Sequence, residues 1–441
     1  MAHSPGHSAT FNAVARSKLT ESCPRAGELT VRLGTATADA DVRAVALALA
    51  PRFARAEAGA LRVSVIDGGL TNALFAVSLG DAPGSTVLVR VFGTSTERVI
   101  DRERDGILFE LLSQLRIGPS LLGAFGNGRV EQFIDGGRTL EPDDMAHPDI
   151  APLVGAAVGA FHRVLRDDAA SQHPELWGTM AGWLAEAEAV EAEGTPLAEA
   201  VGSMFGGRGM AAARERLQWA EARLQPGPAA AAARERLRWA EARLQPGPAA
   251  AAAGSEPGSA DASARAVARA FARETVLCHN DLLGGNLLLV PAESRVQLLD
   301  FEYSAPGPRA FDWGNHFGEH GAMECDFGKH YPAGTAAKMP FLRAYMRAAA
   351  PDIVAEAEAA GAAGALWEEL ALEADRFAVA GHLFWGLWAV VQARWSEVEF
   401  DFAAYAVLRL EGGLAAHALL LDGEEPAAVS DDAAHASAAL G

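Results

Sequence analysis

Four polar residues in the second half of the chain have the types and the spacing of a phosphoryl-transfer site. The segment HNDLLGGN contains His279, Asp281 and Asn286, and Asp300 follows at the end of the next apolar run, VQLLD. Two carboxylates and an amide oxygen so arranged suit Mg²⁺, and phosphoryl transfer from ATP also needs a carboxylate near the acceptor hydroxyl. The pattern predicts Asp281 as the base and Asn286 and Asp300 as metal ligands, with His279 orienting the loop. The alternative is a simple turn cap, which the spacing to Asp300 disfavours.

A glycine-containing turn between two strand-like segments is a second candidate for phosphate binding. Gly68 and Gly69 precede Thr71 and Asn72 in the sequence GGLTN. Backbone N–H groups and hydroxyls of such a turn can lie against phosphate oxygens. A glycine turn alone is weak support, so this interpretation depends on the HNDLLGGN loop.

Arg90 is a charged residue inside the otherwise apolar strand pattern TVLVRVF. An unpaired charge buried in a sheet is costly, so this side chain is expected to meet an anion. An acid of the following helix, Asp105 or Glu103, could hold it in place. The alternative is that Arg90 simply faces solvent, since the valines of the strand share the opposite face.

Aromatic residues near the C-terminus could bind an organic cation. Trp385 and Trp388 lie three apart in HLFWGLWAVVQARW, and Tyr405 follows. Aromatic stripes at helical spacing are usually core, but an ammonium over an aromatic face gains roughly 0.5–2 kcal/mol. Three carboxylates could complement an amine: Glu302, Asp312 and Glu319.

The elements around these residues change character along the chain. Three near-alternating runs, LRVSVID, ALFAVSL and TVLVRVF, predict an antiparallel meander, and ERVIDRERDGILFELLSQL has apolar residues on one helical face. Beyond residue 138 the patterns are mostly helical, apart from two strand-like runs that flank the HNDLLGGN loop. The sequence therefore predicts an α+β protein with a small sheet unit followed by a mostly helical unit.

A tandem duplication interrupts the helical half. AAARERLQWAEARLQPGPAA at 211–230 recurs at 231–250 with Gln218 replaced by Arg238. Two copies are too few for a solenoid, and each could form a short helix that the Pro-Gly-Pro run ends. We interpret residues 203–262 as a low-complexity surface insertion without chemistry.

Composition limits the possible partners and compartments. The chain has 441 residues, with 37 Lys plus Arg against 57 Asp plus Glu and a formal net charge of -20. Such an acidic protein is a poor candidate for nucleic acid or anionic lipid, which reward clustered cations. Three scattered cysteines favour a reducing compartment, here the cytoplasm, and no apolar stretch is long enough to span a membrane.

Seven segments, in this order, resemble the choline/ethanolamine kinase family: GGLTN, VLVRVFG, GNGRVEQFIDGGRTL, VLCHNDLLGGNLL, LLDFEYS, RAFDWGNHFGE and HLFWGLWAVVQARWSEVEFDFAAYAVLR. The resemblance covers about residues 60–190 and 272–412. It implies an α+β, protein-kinase-like two-lobed fold, with ATP and Mg²⁺ as cofactors and a small amino alcohol as acceptor. Family members are often dimeric, so a homodimer is one expected state.

The resemblance also implies a division of the chain into lobes. We expect a disordered extension at 1–40, an ATP-binding lobe with a small antiparallel sheet at 41–135, a mostly helical catalytic lobe at 136–420 and a tail at 421–441. In the family, the residue at the position of Asp105 is usually Glu, so the side chain that would pair with Arg90 is one methylene shorter in this chain.

Site roles follow from the resemblance, residue by residue. The loop over the phosphates is Gly68, Gly69, Leu70, Thr71 and Asn72, with Arg90 also contacting phosphate. The hinge beside adenine is Gln132, Phe133 and Ile134. Asp281 is the base, with Asn286 and Asp300 on Mg²⁺. The residues that line the amino-alcohol pocket are Tyr303, Glu319, Trp385, Trp388 and Tyr405, with Glu302 as a further carboxylate.

The acceptor is expected to be ethanolamine, giving phosphoethanolamine in the first step toward phosphatidylethanolamine. Choline-preferring members carry extra aromatics after NHF, whereas this chain reads NHFGEHGAMECDFGKHYP. A primary ammonium can donate hydrogen bonds to carboxylates, while a quaternary one depends on an aromatic cage. A choline or dual kinase is the alternative, and an inactive kinase-like scaffold is an alternative of another class.

Overall fold

A computed structural model describes residues 5–20, 22–66, 71–81, 84–93, 99–170, 173–225, 257–396 and 398–415. These residues form a small lobe built on a sheet and a large lobe of helices, with a cavity between them. The α+β, two-lobed architecture predicted from the sequence is therefore confirmed.

The small lobe is built on a six-stranded sheet. Its strands are β1 (Arg25–Ala26), β2 (Leu61–Ile66), β3 (Asn72–Leu79), β4 (Thr86–Phe92), β5 (Leu121–Phe125) and β6 (Gly128–Gln132). They lie in the order β1-β5-β6-β4-β3-β2, and every pair is antiparallel except β1 with β5. The predicted meander is β2, β3 and β4.

Three helices accompany this sheet: α1 (Pro5–Ser17), α2 (Ala38–Leu49) and α3 (Arg102–Gln114). Val87, Val89 and Val91 alternate along β4 and pack in one cluster with the buried face of α2. Because successive side chains of a strand point to opposite faces, Arg90 is directed away from α2. Only 5% of Arg90 is exposed, so the solvent-facing alternative is wrong.

The N-terminal segment differs from the predicted disordered extension. Phe11 and Ala15, one helical turn apart on α1, are buried in the large hydrophobic cluster that includes α3. Asn12 Oδ1 accepts a hydrogen bond from Arg104 Nε (3.2 Å), and Arg104 forms a two-pronged ion pair with Glu175 of the large lobe (2.9 and 3.0 Å). Two apolar residues in a polar segment were too weak a periodic signal to predict this docking.

The large lobe is mostly helical. Its helices are α4 (Pro142–Met145), α5 (Ala151–Phe161), α6 (Arg166–Ala170), α7 (Leu176–Glu191), α8 (Pro196–Gly207, kinked at Met204–Gly206), α9 (Gly209–Leu224), α10 (Pro257–Ala272), α11 (Arg309–Glu319), α12 (Phe327–His330), α13 (Gly334–Ala349), α14 (Pro351–Ala359), α15 (Ala363–Trp395) and α16 (Phe402–Val407). A π-helical turn, Leu408–Gly413, continues α16.

Short strands of the large lobe hold the loops that face the small lobe. They are β7 (Arg138–Thr139), β8 (Thr275–Cys278), β9 (Leu287–Val290), β10 (Arg295–Leu298) and β11 (Ala305–Pro308). One sheet has the order β10-β9-β7, and β11 pairs with β8. The HNDLLGGN loop therefore connects β8 to β9, and β9 and β10 form the hairpin that the sequence pattern predicted between this loop and Asp300.

The buried helix α15, 33 residues long, is the axis of the large lobe, and α11 packs closely against it. Gly314 makes this approach possible, because a Cβ at that position would lie 2.4 Å from the backbone nitrogen of Ala378. The close packing brings the side chains that follow Gly314 next to the two tryptophans of α15. Within the described residues, no helix is both long and apolar enough to cross a membrane.

The first copy of the duplication is part of the core, so its assignment to a surface insertion is wrong. Within this copy α9 ends at Leu224, just before the Pro-Gly-Pro run, as predicted. It buries an apolar stripe against α7 and α15, consisting of Ala212, Ala213, Leu217, Ala220 and Leu224. The second copy, 231–250, and the C-terminal tail lie outside the described residues.

The docking of α1 predicts a stability effect. Phe11→Ala removes a side chain with no exposed surface, so we expect the free energy of unfolding to fall by about 3 kcal/mol. Urea denaturation followed by circular dichroism measures it. The control is Leu33→Ala, whose side chain is 41% exposed and whose loss is expected to change stability by less than about 0.5 kcal/mol. Equal midpoints for the two variants would show that α1 is not docked.

Candidate active site

A cavity of about 590 Å³ between the lobes collects the residues singled out from the sequence. The following predicted residues line it: Thr71, Asn72, Arg90, Gln132, Phe133, Ile134, Asp281, Asn286, Asp300, Glu302, Tyr303, Glu319, Trp385, Trp388 and Tyr405. Gly68, Gly69 and Leu70 lie outside the described residues. His279 is fully buried behind the loop and does not line the cavity.

Asp281 lines the cavity from the loop after β8. Its Oδ2 accepts a hydrogen bond from Asn286 Nδ2 (2.7 Å), whereas its buried Oδ1 has no hydrogen-bond partner among the described residues. Burial, reinforced by the nearby carboxylates of Glu319, Asp300 and Glu302, raises the pKa of Asp281 well above its usual value. A cation bound in the cavity would reverse this effect and favour the carboxylate.

A buried carboxylate, Asp312 of α11, holds this loop in place. Asp312 Oδ2 accepts the backbone N–H of His279 and Asp312 Oδ1 that of Asn280, both at 2.7 Å. The His279 ring contacts Leu299 O through Nε2 (2.8 Å), and its Nδ1 accepts the N–H of Asp281 (3.3 Å). His279 therefore orients the loop, as expected, while the suggestion that Asp312 complements an amine is not supported because its oxygens are committed.

His162 of the segment after α5 supports Asp312 from behind. Tyr345 OH accepts a hydrogen bond from Arg309 Nη1 (2.8 Å), so its own proton points to His162 Nδ1 (2.7 Å). His162 Nε2 then carries the ring proton and donates it to Asp312 Oδ2 (2.8 Å). Burial lowers the pKa of His162, in agreement with this neutral form. His162, Asp312 and Cys278 lie close enough to hold a metal, but all three make hydrogen bonds within the protein.

Asn286 and Asp300 present oxygen atoms suited to a hard cation. Asn286 Nδ2 is turned toward the backbone and side chain of Asp281, which directs its carbonyl oxygen elsewhere. Asp300 adopts a left-handed backbone conformation (φ 57°), and its buried Oδ1 lacks a hydrogen-bond partner within the described parts of the chain. Mg²⁺ prefers carboxylate and amide oxygens, so this pair of residues fits the ion.

Arg90 is held by acids other than the ones expected. Its Nε donates to Glu131 Oε1 (2.9 Å) and its Nη1 to Asp300 Oδ2 (3.0 Å). Burial alone lowers the pKa of Arg90, but the charges of Asp300, Glu131 and Glu302 outweigh it and raise the pKa above the ordinary value. Glu131 was missed from the sequence, because pairing of β4 with β6 had to be known first.

Asp105 and Glu103 do not contact Arg90, which corrects the expected ion pair. Asp105 accepts two hydrogen bonds from Arg129 (2.8 and 2.9 Å), and Glu103 pairs with Arg16 of α1 (2.9 Å). Since Arg129 also donates to the Glu131 carboxylate that holds Arg90 (2.7 Å), Asp105 supports Arg90 only through two intermediate residues.

The carboxylate of Glu302 is bonded to residues of the small lobe, which differs from the amine-binding role expected from the sequence. Its carboxylate accepts hydrogen bonds from Thr71 Oγ1 (2.6 Å), Asn72 Nδ2 (3.0 Å) and Arg102 Nη1 (2.9 Å). Burial and the charge of Asp300 raise its pKa to about 7. Glu302 of the large lobe therefore joins the start of β3 to the start of α3.

Aromatic rings line one end of the cavity. Trp385 packs edge-on against Tyr303 and Trp388, with centroid distances of 5.2 and 5.3 Å. Trp388 Nε1 donates to Tyr303 OH (2.9 Å), and burial raises the pKa of this phenol well above its usual value. Tyr405 is likewise buried and lines the same end.

Glu319 shares this end with a cation that the sequence analysis missed. Arg409 is fully buried, and its Nη1 donates to Glu319 Oε1 (2.7 Å) and to Tyr405 OH (3.3 Å). Arg409 is the single charge in the apolar run FAAYAVLRL, one helical turn after Tyr405. A charge in an apolar run was the signal that singled out Arg90, and the same reasoning could have found Arg409.

Comparisons with known proteins agree with this geometry. The family model described as choline/ethanolamine kinase matches residues 63–205 and 261–412, which leaves out most of the predicted insertion. A probable ethanolamine kinase of Arabidopsis thaliana is 31% identical over 79% of this chain and 77% of its own length. Ethanolamine kinase 1 of Mus musculus is 29% identical over 77% and 80%. The solved structure of a Plasmodium vivax ethanolamine kinase superposes with a TM-score of 0.61 and 20% identity, covering 91% of this chain and 93% of the other.

His316 provides a test of the electrostatics that support the loop. Its Nδ1 lies 3.2 Å from Leu282 O, next to Asp281, and burial lowers its pKa from 6.5 to about 4. Because the unfolded chain binds a proton on this ring at higher pH than the folded chain, stability falls as the pH drops from about 6.5 to 4. The contribution is at most about 3 kcal/mol.

The measurement is the urea unfolding free energy at pH 7, 6 and 5 for the wild type and His316→Asn. Asn can still donate to Leu282 O but does not titrate, so the difference in stability between the two proteins should shrink as the pH falls. A constant difference over this range would show that His316 does not have a lowered pKa.

Proposed function

Because the chain belongs to the choline/ethanolamine kinase family, we propose that it transfers the γ-phosphoryl group of ATP to the hydroxyl of ethanolamine, giving phosphoethanolamine and ADP. The observation that carries this proposal is the position of Asp281. Its unpartnered Oδ1 lies in one cavity with the suitable metal ligands and with the aromatic and carboxylate groups that would receive an ammonium.

The donor end of the cavity suits ATP with Mg²⁺. Gln132 ends β6, Phe133 and Ile134 follow it, and all three would face the adenine. Thr71, Asn72 and Arg90 would face the phosphates. Asn286 and Asp300 would hold Mg²⁺, which when bound neutralises charge on the phosphate oxygens. The Arg90 guanidinium already contacts Asp300. The group that would face the phosphates and one proposed metal ligand are therefore positioned together before ATP binds.

Asp281 accepts the hydroxyl proton in this proposal. Burial among other carboxylates raises the pKa of Asp281 well above its usual value. The ammonium of the acceptor and a bound Mg²⁺ would both bring positive charge into this site, which would lower that pKa and favour the carboxylate. Ligand binding would thus favour the protonation state that a base requires.

The acceptor end suits a small cation. Trp385, Trp388, Tyr303 and Tyr405 offer ring faces and edges, and a desolvated ammonium gains about 2 kcal/mol over such a ring. Glu319 adds a carboxylate that can accept hydrogen bonds from the N–H groups of a primary ammonium. A quaternary ammonium has no N–H to donate, so this carboxylate favours ethanolamine.

Choline is the second candidate acceptor. The ring of Trp385 lies edge-on to those of Tyr303 and Trp388, which resembles the aromatic environment that a quaternary ammonium requires, and Arg409 compensates part of the Glu319 charge. A cytoplasmic location remains a prediction from the cysteine content, and a homodimer remains a prediction from the family resemblance.

The direct test is ADP release by the purified protein with Mg-ATP and ethanolamine, choline or no acceptor at matched concentrations. We expect ethanolamine to give the highest rate, because only its ammonium can donate to Glu319. Comparable rates would favour a dual kinase with an adequate aromatic cage. ADP release that does not depend on an acceptor would contradict the proposal and favour the inactive scaffold.

Asp281→Asn tests the base. The amide cannot accept the hydroxyl proton as a carboxylate does, so kcat for ethanolamine should fall by about 100-fold or more while the KM for Mg-ATP changes little. The matched control is Asp149→Asn, since the side chain of Asp149 is 91% exposed and does not line the cavity. An Asp281→Asn protein with the kcat of this control would exclude Asp281 as the base.

A further inference from the structure

Asn280, the residue before Asp281, is held in an unusual conformation by three hydrogen bonds. Its backbone φ angle is 67°, in the left-handed region that residues other than glycine rarely adopt. Its N–H donates to Asp312 Oδ1 (2.7 Å), its Nδ2 donates to Tyr303 O (2.8 Å), and its carbonyl accepts from Asn315 Nδ2 (3.2 Å). The direction in which the chain enters Asp281 therefore depends on these partners.

Asn315 connects that loop to the aromatic end of the cavity. Its side chain has no exposed surface, and its Oδ1 accepts from Trp385 Nε1 (2.8 Å) while its Nδ2 donates to Asn280 O. An indole N–H can only donate and a carbonyl can only accept, so the orientation of the amide is fixed by its two neighbours. One buried amide thus spans from the ring of Trp385 to the backbone preceding Asp281.

A second path joins the same loop to the other tryptophan. Tyr303 accepts from Asn280 Nδ2 through its carbonyl and from Trp388 Nε1 through its hydroxyl. Both indoles of the aromatic end are therefore connected to Asn280 through one intermediate residue each. Neither Asn280 nor Asn315 lines the cavity, which is why the chemistry-bearing residues of the sequence did not include them.

We propose that Asn315 is a positioning residue that fixes the distance between the acceptor-binding rings and Asp281. This inference rests on the proposed function. Ethanolamine has only two carbons between its ammonium and its hydroxyl, so the rings that hold one end determine where the other end lies. A displacement of about 1 Å between a reacting group and its catalytic partner can cost about 100-fold in rate. The buried amide of Asn315 fixes the position of the rings relative to Asp281 before the acceptor binds.

The test compares steady-state kinetics of the wild type and Asn315→Leu with ethanolamine and Mg-ATP. Leu is similar in size but makes neither hydrogen bond, so kcat should fall by about 10- to 100-fold while the KM for Mg-ATP stays within about two-fold. The nearly isosteric Asn315→Asp keeps an acceptor for Trp385 but places an oxygen against Asn280 O. The same loss of kcat is expected for it, and it replaces Asn315→Leu if that variant does not fold.

The matched control is Asn127→Leu. Asn127 also makes two side-chain hydrogen bonds, both to the backbone of Val31 in the small lobe (2.9 Å each), and it does not line the cavity. Its substitution should lower the thermal unfolding midpoint without changing kcat. If Asn315→Leu lowers the midpoint in the same way but keeps the wild-type kcat, its role is structural only and the proposal is overturned.

A double-mutant cycle with Trp385→Phe tests the link itself. Phe keeps a ring but lacks the N–H, so the double variant should lose no more kcat than the more affected single variant if Asn315 and Trp385 act as one unit. Losses that multiply would contradict the coupling. A wild type without acceptor-dependent ADP release would refute the proposed function and this inference together, whereas an active wild type with an unaffected Asn315→Leu would refute the inference alone.

Discussion

The buried carboxylate of Asp312 is the interaction on which the site depends. The loop that carries Asp281 leaves β8 with its N–H groups pointing into the protein, where an unpaired donor would cost free energy. Asp312 satisfies two of these donors, and His162 fixes its orientation in turn. Since α11 carries Asp312 and packs on α15 through Gly314, the position of the loop is tied to the longest helix described in the large lobe.

The charges of the cavity show a second constraint. Asp281, Asp300, Glu302 and Glu319 line one space, and mutual repulsion would destabilise it if all were ionised and unpaired. Three arginines at its edges offset this: Arg90 on Asp300, Arg102 on Glu302 and Arg409 on Glu319. Asp281 alone of these four has no ion pair with a cation among the described residues, and burial, reinforced by the nearby carboxylates, raises its pKa well above its usual value. Asp281 is therefore the carboxylate of this cavity whose charge a bound cation would balance.

The sequence predicted the parts of the site that are local and periodic. The meander, the loop between two strands and the residues that line the cavity could be read from alternation, from glycine and proline positions and from the family resemblance. Contacts that depend on tertiary pairing could not. Arg90 was matched with Asp105 on proximity along the chain, whereas its partner Glu131 becomes a neighbour only when β6 pairs with β4. The docking of helix α1 was not predicted for a similar reason. Its two buried residues do not form a recognisable apolar stripe in the sequence, and they become part of the core only when α3 is in place.

The duplicated segment has a consequence for how the helical core is encoded. The single difference between the copies, Gln218 against Arg238, falls at an exposed position of α9, so both copies carry the same apolar stripe. The apolar residues that pack between α7 and α15 thus occur twice in the sequence, twenty residues apart. Two residues before the first copy, Gly209 has a left-handed backbone (φ 52°), and a Cβ there would lie 2.0 Å from Glu191 Oε1. The corresponding residue before the second copy is Ala229, so α9 begins at a glycine that the repeated sequence does not provide.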